Sequence, residues 1–238
     1  MFSIAEKLQQ VQAQIAAAAL AAARLPQEVR LLAVSKTFGP DAVLEAAHAG
    51  QRAFGENYLQ EALDKMQALQ QRDAAVAAGL EWHFIGPIQS NKTRPIAAHF
   101  DWVHSVEREK IAQRLSEQRP QELPPLNICL QVNISGEASK SGLAPHEVAT
   151  AAQAVAQLPR LRLRGLMAIP EPTADPQLQR AAFGRVRALF DELKQQGLAL
   201  DTLSMGMSAD MPAAIAEGAS IVRIGSAIFG ARDYSSAH

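Results

Sequence analysis

From residue 30 onward one unit recurs eight times: a short apolar run, a turn, then a helix-forming segment. The apolar runs fall at 30–35, 52–54, 83–85, 102–104, 126–132, 161–167, 202–204 and 221–224. Helix-forming segments follow at 41–49, through 71, at about 92–98, 107–117, 145–157, 176–196 and 211–217, and from Ser226. Strands that alternate with helices build parallel sheets, because each helix carries the chain back to the same end. Several runs are apolar throughout, as strands buried on both faces are. Eight such units predict an α/β fold, a (β/α)8 TIM-type barrel, with an open doubly wound sheet as the alternative. An extra N-terminal helix over 3–23 precedes the repeat. Ser3 and Glu6 have capping-box spacing, and Leu8, Val11, Ile15 and Leu20 recur at helical intervals. No linker rich in Gly, Ser or charge divides the chain, so residues 1–238 read as a single barrel domain.

Composition removes several classes of function. A net charge of −1 creates no field that draws nucleic acid or an anionic membrane. No apolar run approaches the ~20 residues of a membrane span, and the N-terminus lacks a signal-peptide layout. A cytoplasmic protein is the expectation. The one cysteine, Cys129, lies in LNICLQV. It excludes an internal disulfide and a thiolate zinc cluster, and reads as a small buried hydrophobe.

In a barrel the strand ends share one rim, where chemistry collects. The residues at or just after each run are Lys36, Asn57, His83 with Gly86, Ser105, Asn133, Met167, Ser204, and Arg223 with Gly225. The set is polar but poor in acids. It holds neither a glycosidase carboxylate pair nor a divalent-metal cage, so no metal site is expected. His83 reads as a core or rim histidine with a structural hydrogen bond. Lys36, at the exit of LLAVSKTF, can be a solvated charge, a phosphate ligand or a Schiff-base amine.

The last two runs narrow that choice. Barrels often bind phosphate after strands seven and eight. Here the Ser204-Met205-Gly206 turn offers a hydroxyl and backbone N–H groups. Gly225 allows close backbone approach, and Ser226 opens the last helix, where N–H groups favour an anion. Strand one neighbours strand eight in a closed barrel, which places Lys36 opposite this cup. A lysine beside a phosphate cup fits pyridoxal 5′-phosphate. Arg223 then reaches the pyridine nitrogen, or makes a strand-end salt bridge. A guanidinium keeps its proton, so it would leave the ring nitrogen unprotonated and the ring a weak electron sink.

The stretches AVSKTFGPDAV, FGENYLQEA, WHFIGPIQSNK, VNISGEASKSGL, LRGLMAIP, LSMGMSADM and VRIGSAIFGARDY resemble the pyridoxal phosphate homeostasis proteins, often called the YggS or PROSC family. The match runs from about residue 3 to Tyr234. The resemblance implies a fold-type III barrel like the N-terminal domain of alanine racemase. It implies that Lys36 carries the cofactor as an aldimine, and that Asn57 lies beside the ring. It also implies that Ser204, Gly225 and Ser226 hold the phosphate and that Arg223 faces the ring nitrogen. Lys140 matches a family lysine near the site, with a solvated loop lysine as the plainer reading. Many members read Lys-Thr-Lys where this chain has Lys36-Thr37-Phe38, and many have Thr at Ser226.

The implied function is a carrier that takes part in intracellular pyridoxal phosphate homeostasis, with no catalytic residue assigned and apo-enzymes as recipients. The alternative is an amino-acid racemase or related enzyme. The chain stops about where the barrel ends, so the racemase β-domain and its second base are not expected, and a monomer is.

Overall fold

The computed structural model describes residues 2–136 and 141–230. The elements are α1 (Ile4–Ala21), β1 (Arg30–Val34), α2 (Pro40–His48), β2 (Ala53–Glu56), α3 (Leu59–Arg72), α4 (Ala74–Ala78), β3 (Glu81–Phe84), α5 (Thr93–His99) and β4 (Trp102–Val106). They continue with α6 (Glu109–Gln118), β5 (Leu126–Val132), α7 (Val148–Ala156), β6 (Leu161–Ala168), α8 (Pro176–Gln195), β7 (Thr202–Ser204), α9 (Met211–Ala216), β8 (Ile221–Ile224) and α10 (Ser226–Phe229). The strands close into a parallel barrel in sequence order, and β1 pairs with β8. The eightfold repeat therefore gives the expected (β/α)8 barrel, not the open sheet.

Two apolar layers hold it. Inside the barrel, Leu32, Ala53, Trp102, Cys129, Met167 and Ile221 pack together with Ile85. A larger cluster fills the space between strands and helices, from Phe54 and Phe84 to Phe183 and Val222. Cys129 is fully buried, and burial pushes its thiol up to about 12.

The capping box of α1 forms: Glu6 N–H donates to Ser3 Oγ and Ser3 N–H donates to Glu6 Oε2. The buried stripe is Leu8, Val11, Ile15 and Ala19. Leu20 is exposed instead, because Ala19 takes the inward position one residue earlier. The helix packs against α2, α9 and α10, on the side where the barrel closes.

Three strand limits differ from the sequence pattern in a way that bears on function. β2 continues through Gly55 and Glu56 rather than ending at 54. The missing side chain of Gly55 leaves room for Leu32 and Ile85, so the strand runs on without a break in packing. β3 begins at Glu81, two residues early, and β4 reaches Val106.

Candidate functional site

Lys36 leaves β1 two residues past Val34 and is half-buried. Its neighbours are held from below by a buried ion pair. Lys65 Nζ donates to Glu56 Oε1 at 2.5 Å, to the Ser35 carbonyl at 2.9 Å and to Glu61 Oε1 at 3.1 Å. Ser35 Oγ donates to Glu56 Oε1 at 2.6 Å, and Thr37 N–H donates to Glu61 Oε1 at 2.6 Å. Thr37 sits at φ 70°, a conformation that a β-branched residue rarely adopts. Such strain costs about 1–3 kcal/mol and persists only where surroundings over-determine it. Here the α3 carboxylate of Glu61 does so. Burial holds the Glu56 carboxyl above the usual range, against the charge and hydrogen bond of Lys65.

Opposite, across the β1–β8 seam, lies Arg223. Its side chain is inside the barrel. Nη1 donates to the Ser204 carbonyl at 2.6 Å and to Ser204 Oγ at 2.8 Å, and Nη2 donates to the Ala168 carbonyl at 3.0 Å. Among the described residues no carboxylate forms a salt bridge with it. Burial lowers its pKa to about 10, which leaves it charged at neutral pH. From Ser204 a file of polar side chains crosses the interior. Ser204 Oγ lies 2.7 Å from His104 Nδ1, His104 Nε2 lies 2.8 Å from His83 Nδ1, and His83 Nε2 lies 2.6 Å from Glu81 Oε1. Arg30, at the start of β1, bonds Glu81 at 2.8 Å. Burial pushes the Glu81 carboxyl up, but His83 and Arg30 together hold it below its ordinary value.

Burial holds both imidazoles below the ordinary histidine range, His104 farther than His83. Both are neutral in the native state at neutral pH, and in the unfolded chain both titrate near ~6.5. Between the two states' pKa values the unfolded chain binds more protons. Stability is therefore full above pH ~6.5 and falls as pH drops, by up to ~2.7 kcal/mol per pH unit for the two rings. Urea unfolding at successive pH values from neutral to mildly acidic measures this slope, and a flat profile contradicts a neutral buried pair.

At the mouth, Gly225 follows β8 with its Cα against Val34. A Cβ there would lie 3.0 Å from the Val34 carbonyl. Ser226 is exposed at the start of α10, which has no side-chain cap. Phe38 packs its ring on Phe229 of α10 at 5.1 Å and so ties the Lys36 loop to this helix. Asn57 follows β2 and is half-buried, with Oδ1 buried and lacking a hydrogen-bond partner. Gly86, after β3, lies so close that a Cβ would sit 2.2 Å from the Asn57 carbonyl. Any other residue at 86 would displace Asn57.

The structure thus brings Lys36, Asn57, Gly225 and Ser226 to the strand-exit end, with Arg223 and Ser204 beneath. The expected Ser204-Met205-Gly206 rim turn is corrected. Ser204 ends β7, as the sequence pattern has it, but its hydroxyl lies inside the barrel, and Met205 N–H donates to the Ile221 carbonyl. Alternating strand direction turns these groups inward or into the sheet instead of up to the rim. His83 and Met167 are likewise interior. Ser105 Oγ is taken by the Gly86 carbonyl, and Asn133 Oδ1 accepts from Gly136 N–H. Lys140 and Tyr234 lie outside the described residues. Sequence reading missed Glu56, Glu61, Lys65, Glu81 and His104. The i,i+4 pair Glu61/Lys65 and the same-face pair Glu81/His83 were the available signals. Among the described residues no cluster could hold a metal ion, and no helix is long and apolar enough to cross a membrane.

A closed parallel barrel with a lysine leaving β1 and a glycine-serine step leaving β8 is a barrel of the alanine racemase N-terminal type. The family model "Alanine racemase, N-terminal domain" matches residues 7–233. Two alanine racemase structures, from Clostridium difficile and Corynebacterium glutamicum, align at TM-scores of 0.67 and 0.65 with 15% and 16% identity, and share the fold. They cover 89% and 97% of this chain, and 55% and 63% of their own. The chain belongs to the pyridoxal phosphate homeostasis protein family. It is 65% identical over 234 residues to the Pseudomonas aeruginosa member, covering 98% of each, and 55% identical over 235 residues to that of Escherichia coli, covering 99% of each. The structure of PipY from Synechococcus elongatus with pyridoxal phosphate bound aligns at a TM-score of 0.82 and 37% identity, over 96% of this chain and 100% of that one.

Proposed function

We propose that this chain binds pyridoxal 5′-phosphate at the strand-exit mouth, holds it through Lys36, and serves to store and release it within the cytoplasm. The observation that carries the reading is the meeting of Lys36, Arg223 and the Gly225–Ser226 step on the β1–β8 seam. The residues fit the group. Asn57 offers an orphaned amide oxygen, Arg223 a buried cation that makes no salt bridge among the described residues, and Gly225 an approach that a side chain would narrow. When bound, the cofactor supplies an aldehyde that condenses with a primary amine. Lys36 would supply that amine, Gly225 and Ser226 would hold the phosphate, Asn57 would lie beside the ring, and Arg223 would donate to the ring nitrogen. Ser204 contributes through its two bonds to Arg223 and through the backbone that leads to the cup. The cofactor bound to PipY and the names of the homeostasis-protein relatives support the reading.

A donated proton from an arginine does not protonate the ring nitrogen, so the site favours holding over carbanion chemistry. The chain acts in this reading as one monomeric unit over residues 1–238, and apo-enzymes that need the cofactor are the recipients. The test is direct. Purified protein with added cofactor becomes yellow, borohydride fixes the mass adduct on Lys36, and dialysis against an apo-enzyme restores that enzyme's activity. A colourless protein with no adduct refutes the reading, and steady turnover of an amino acid replaces carrier with enzyme.

Gly225→Val tests the cup. Its side chain would crowd Val34 and the anion together, and cofactor affinity falls at least tenfold, about 1.4 kcal/mol. Titration of the visible band measures this. Unchanged affinity would move the phosphate elsewhere.

A further inference from the structure

Barrel interiors are filled by branched apolar side chains. This one carries a polar file from rim to rim: Glu81, His83, His104, Ser204 and Arg223. Buried polar groups are costly unless each is bonded, and a half-satisfied network is worse than an apolar core. The hydrogen-bond directions here follow from the two ends. Arg223 has donors only, so Ser204 Oγ accepts from it. The serine proton is then left for His104 Nδ1, 2.7 Å away. His104 must carry its own proton on Nε2 and donate to His83 Nδ1. His83 in turn carries its proton on Nε2 and donates to the Glu81 carboxylate, which Arg30 keeps ionised. One assignment satisfies every ring nitrogen with both histidines neutral. The His83 ring also stacks on Trp102, with centroids 5.3 Å apart and an interplanar angle of 6°, which holds the plane of the ring.

We propose that His83 and His104 are positioning residues for the cofactor site: they fix the Ser204 hydroxyl so that the Arg223 guanidinium is held in one orientation toward the bound ring. The proposal rests on the pyridoxal phosphate reading above and extends it to residues deep in the barrel. A purely structural file would stabilise the fold but leave ligand binding unchanged. This file ends on the guanidinium inside the barrel, at the Nη1 atom that also donates to the Ser204 carbonyl.

Two substitutions separate the roles. His104→Asn places an amide oxygen near the Nδ1 position and keeps an acceptor for Ser204. His104→Gln places the amide near Nε2, keeps a partner for His83 and leaves Ser204 without one. Long-range nitrogen–proton correlation on the apo wild type is expected to show both rings neutral with the proton on Nε2. Cofactor titration is expected to give His104→Gln about tenfold weaker binding, the value of one lost hydrogen bond, and an altered visible band. His104→Asn is expected to stay within about twofold of wild type. Borohydride adducts remain on Lys36 in all three. If His104→Gln fails to fold, Ser204→Ala, which removes only the hydroxyl, is expected to give the same tenfold loss.

A charged ring, or one with its proton on Nδ1, overturns the proposal. So does wild-type affinity and colour in His104→Gln and Ser204→Ala. An absent band and adduct in the wild type itself overturns the cofactor reading, and this proposal with it.

Discussion

Replacing Lys36 by alanine leaves a folded protein that stays colourless with added pyridoxal phosphate. Lys36 is half-buried at a loop position after β1, outside both apolar clusters. Its truncation therefore falls with ordinary surface changes, within about 0.5–1 kcal/mol of wild-type stability. The effect on the ligand is of another order. The covalent link disappears, and only the phosphate, ring-nitrogen and ring-edge contacts proposed for Gly225, Ser226, Arg223 and Asn57 remain. The borohydride adduct at residue 36 is lost completely, and retained colour with an adduct on another lysine would reassign the site. Absorbance and peptide mass, with urea unfolding as control, decide it.

Lys65→Met gives the largest expected loss of stability. Lys65 and Glu56 are among the few charged side chains in the core, 3% and 0% exposed. The lysine carries three bonds into the β1 exit. Removing it leaves the Glu56 carboxylate buried beside a donor from Ser35 alone. Breaking such a pair from one side costs about 3–5 kcal/mol, whereas replacing both members is far milder. The double variant Glu56→Gln with Lys65→Met should accordingly recover most of the loss in urea unfolding. Cofactor binding should weaken in the single variant as well, since Glu61 and Ser35 lose the group that fixes them around Lys36. Normal stability in Lys65→Met would show that the pair contributes little and that Thr37 is held by other means.

The fold was legible because its information is periodic. Short apolar runs, each followed by helical spacing, leave a parallel sheet as the economical solution, and the sum of eight favours closure. Lys36, Gly225 and Ser226 were legible for a related reason: position after a barrel strand is enough to put a residue at the mouth. The interior groups were not. The run 202–204 coincides with β7, but a three-residue run does not say which face its last residue takes, and one residue of phase reverses it. His104 gave no sign, because a histidine in an apolar run looks the same whether it faces helices or the barrel axis. Glu56 was hidden by the glycine before it, which reads as a turn but lies within β2. Phe38 was seen as a missing amine, while its contact with Phe229 needed coordinates.

The seam between β1 and β8 has one more meaning. It is the last joint of the barrel to exist, since its two halves lie at nearly opposite ends of the sequence. Lys36 is synthesised long before Gly225 and Ser226, so in the proposed reading the complete site exists only once the final strand docks. In the proposed reading, a ligand held by Lys36 and by Gly225–Ser226 would bridge that joint. A ligand at a hundred times its Kd adds about 2.7 kcal/mol to native stability, and in the proposed reading that gain falls on this closure. In the proposed reading the emptied protein is the looser form at this joint, and limited proteolysis is expected to cut it faster than the loaded form.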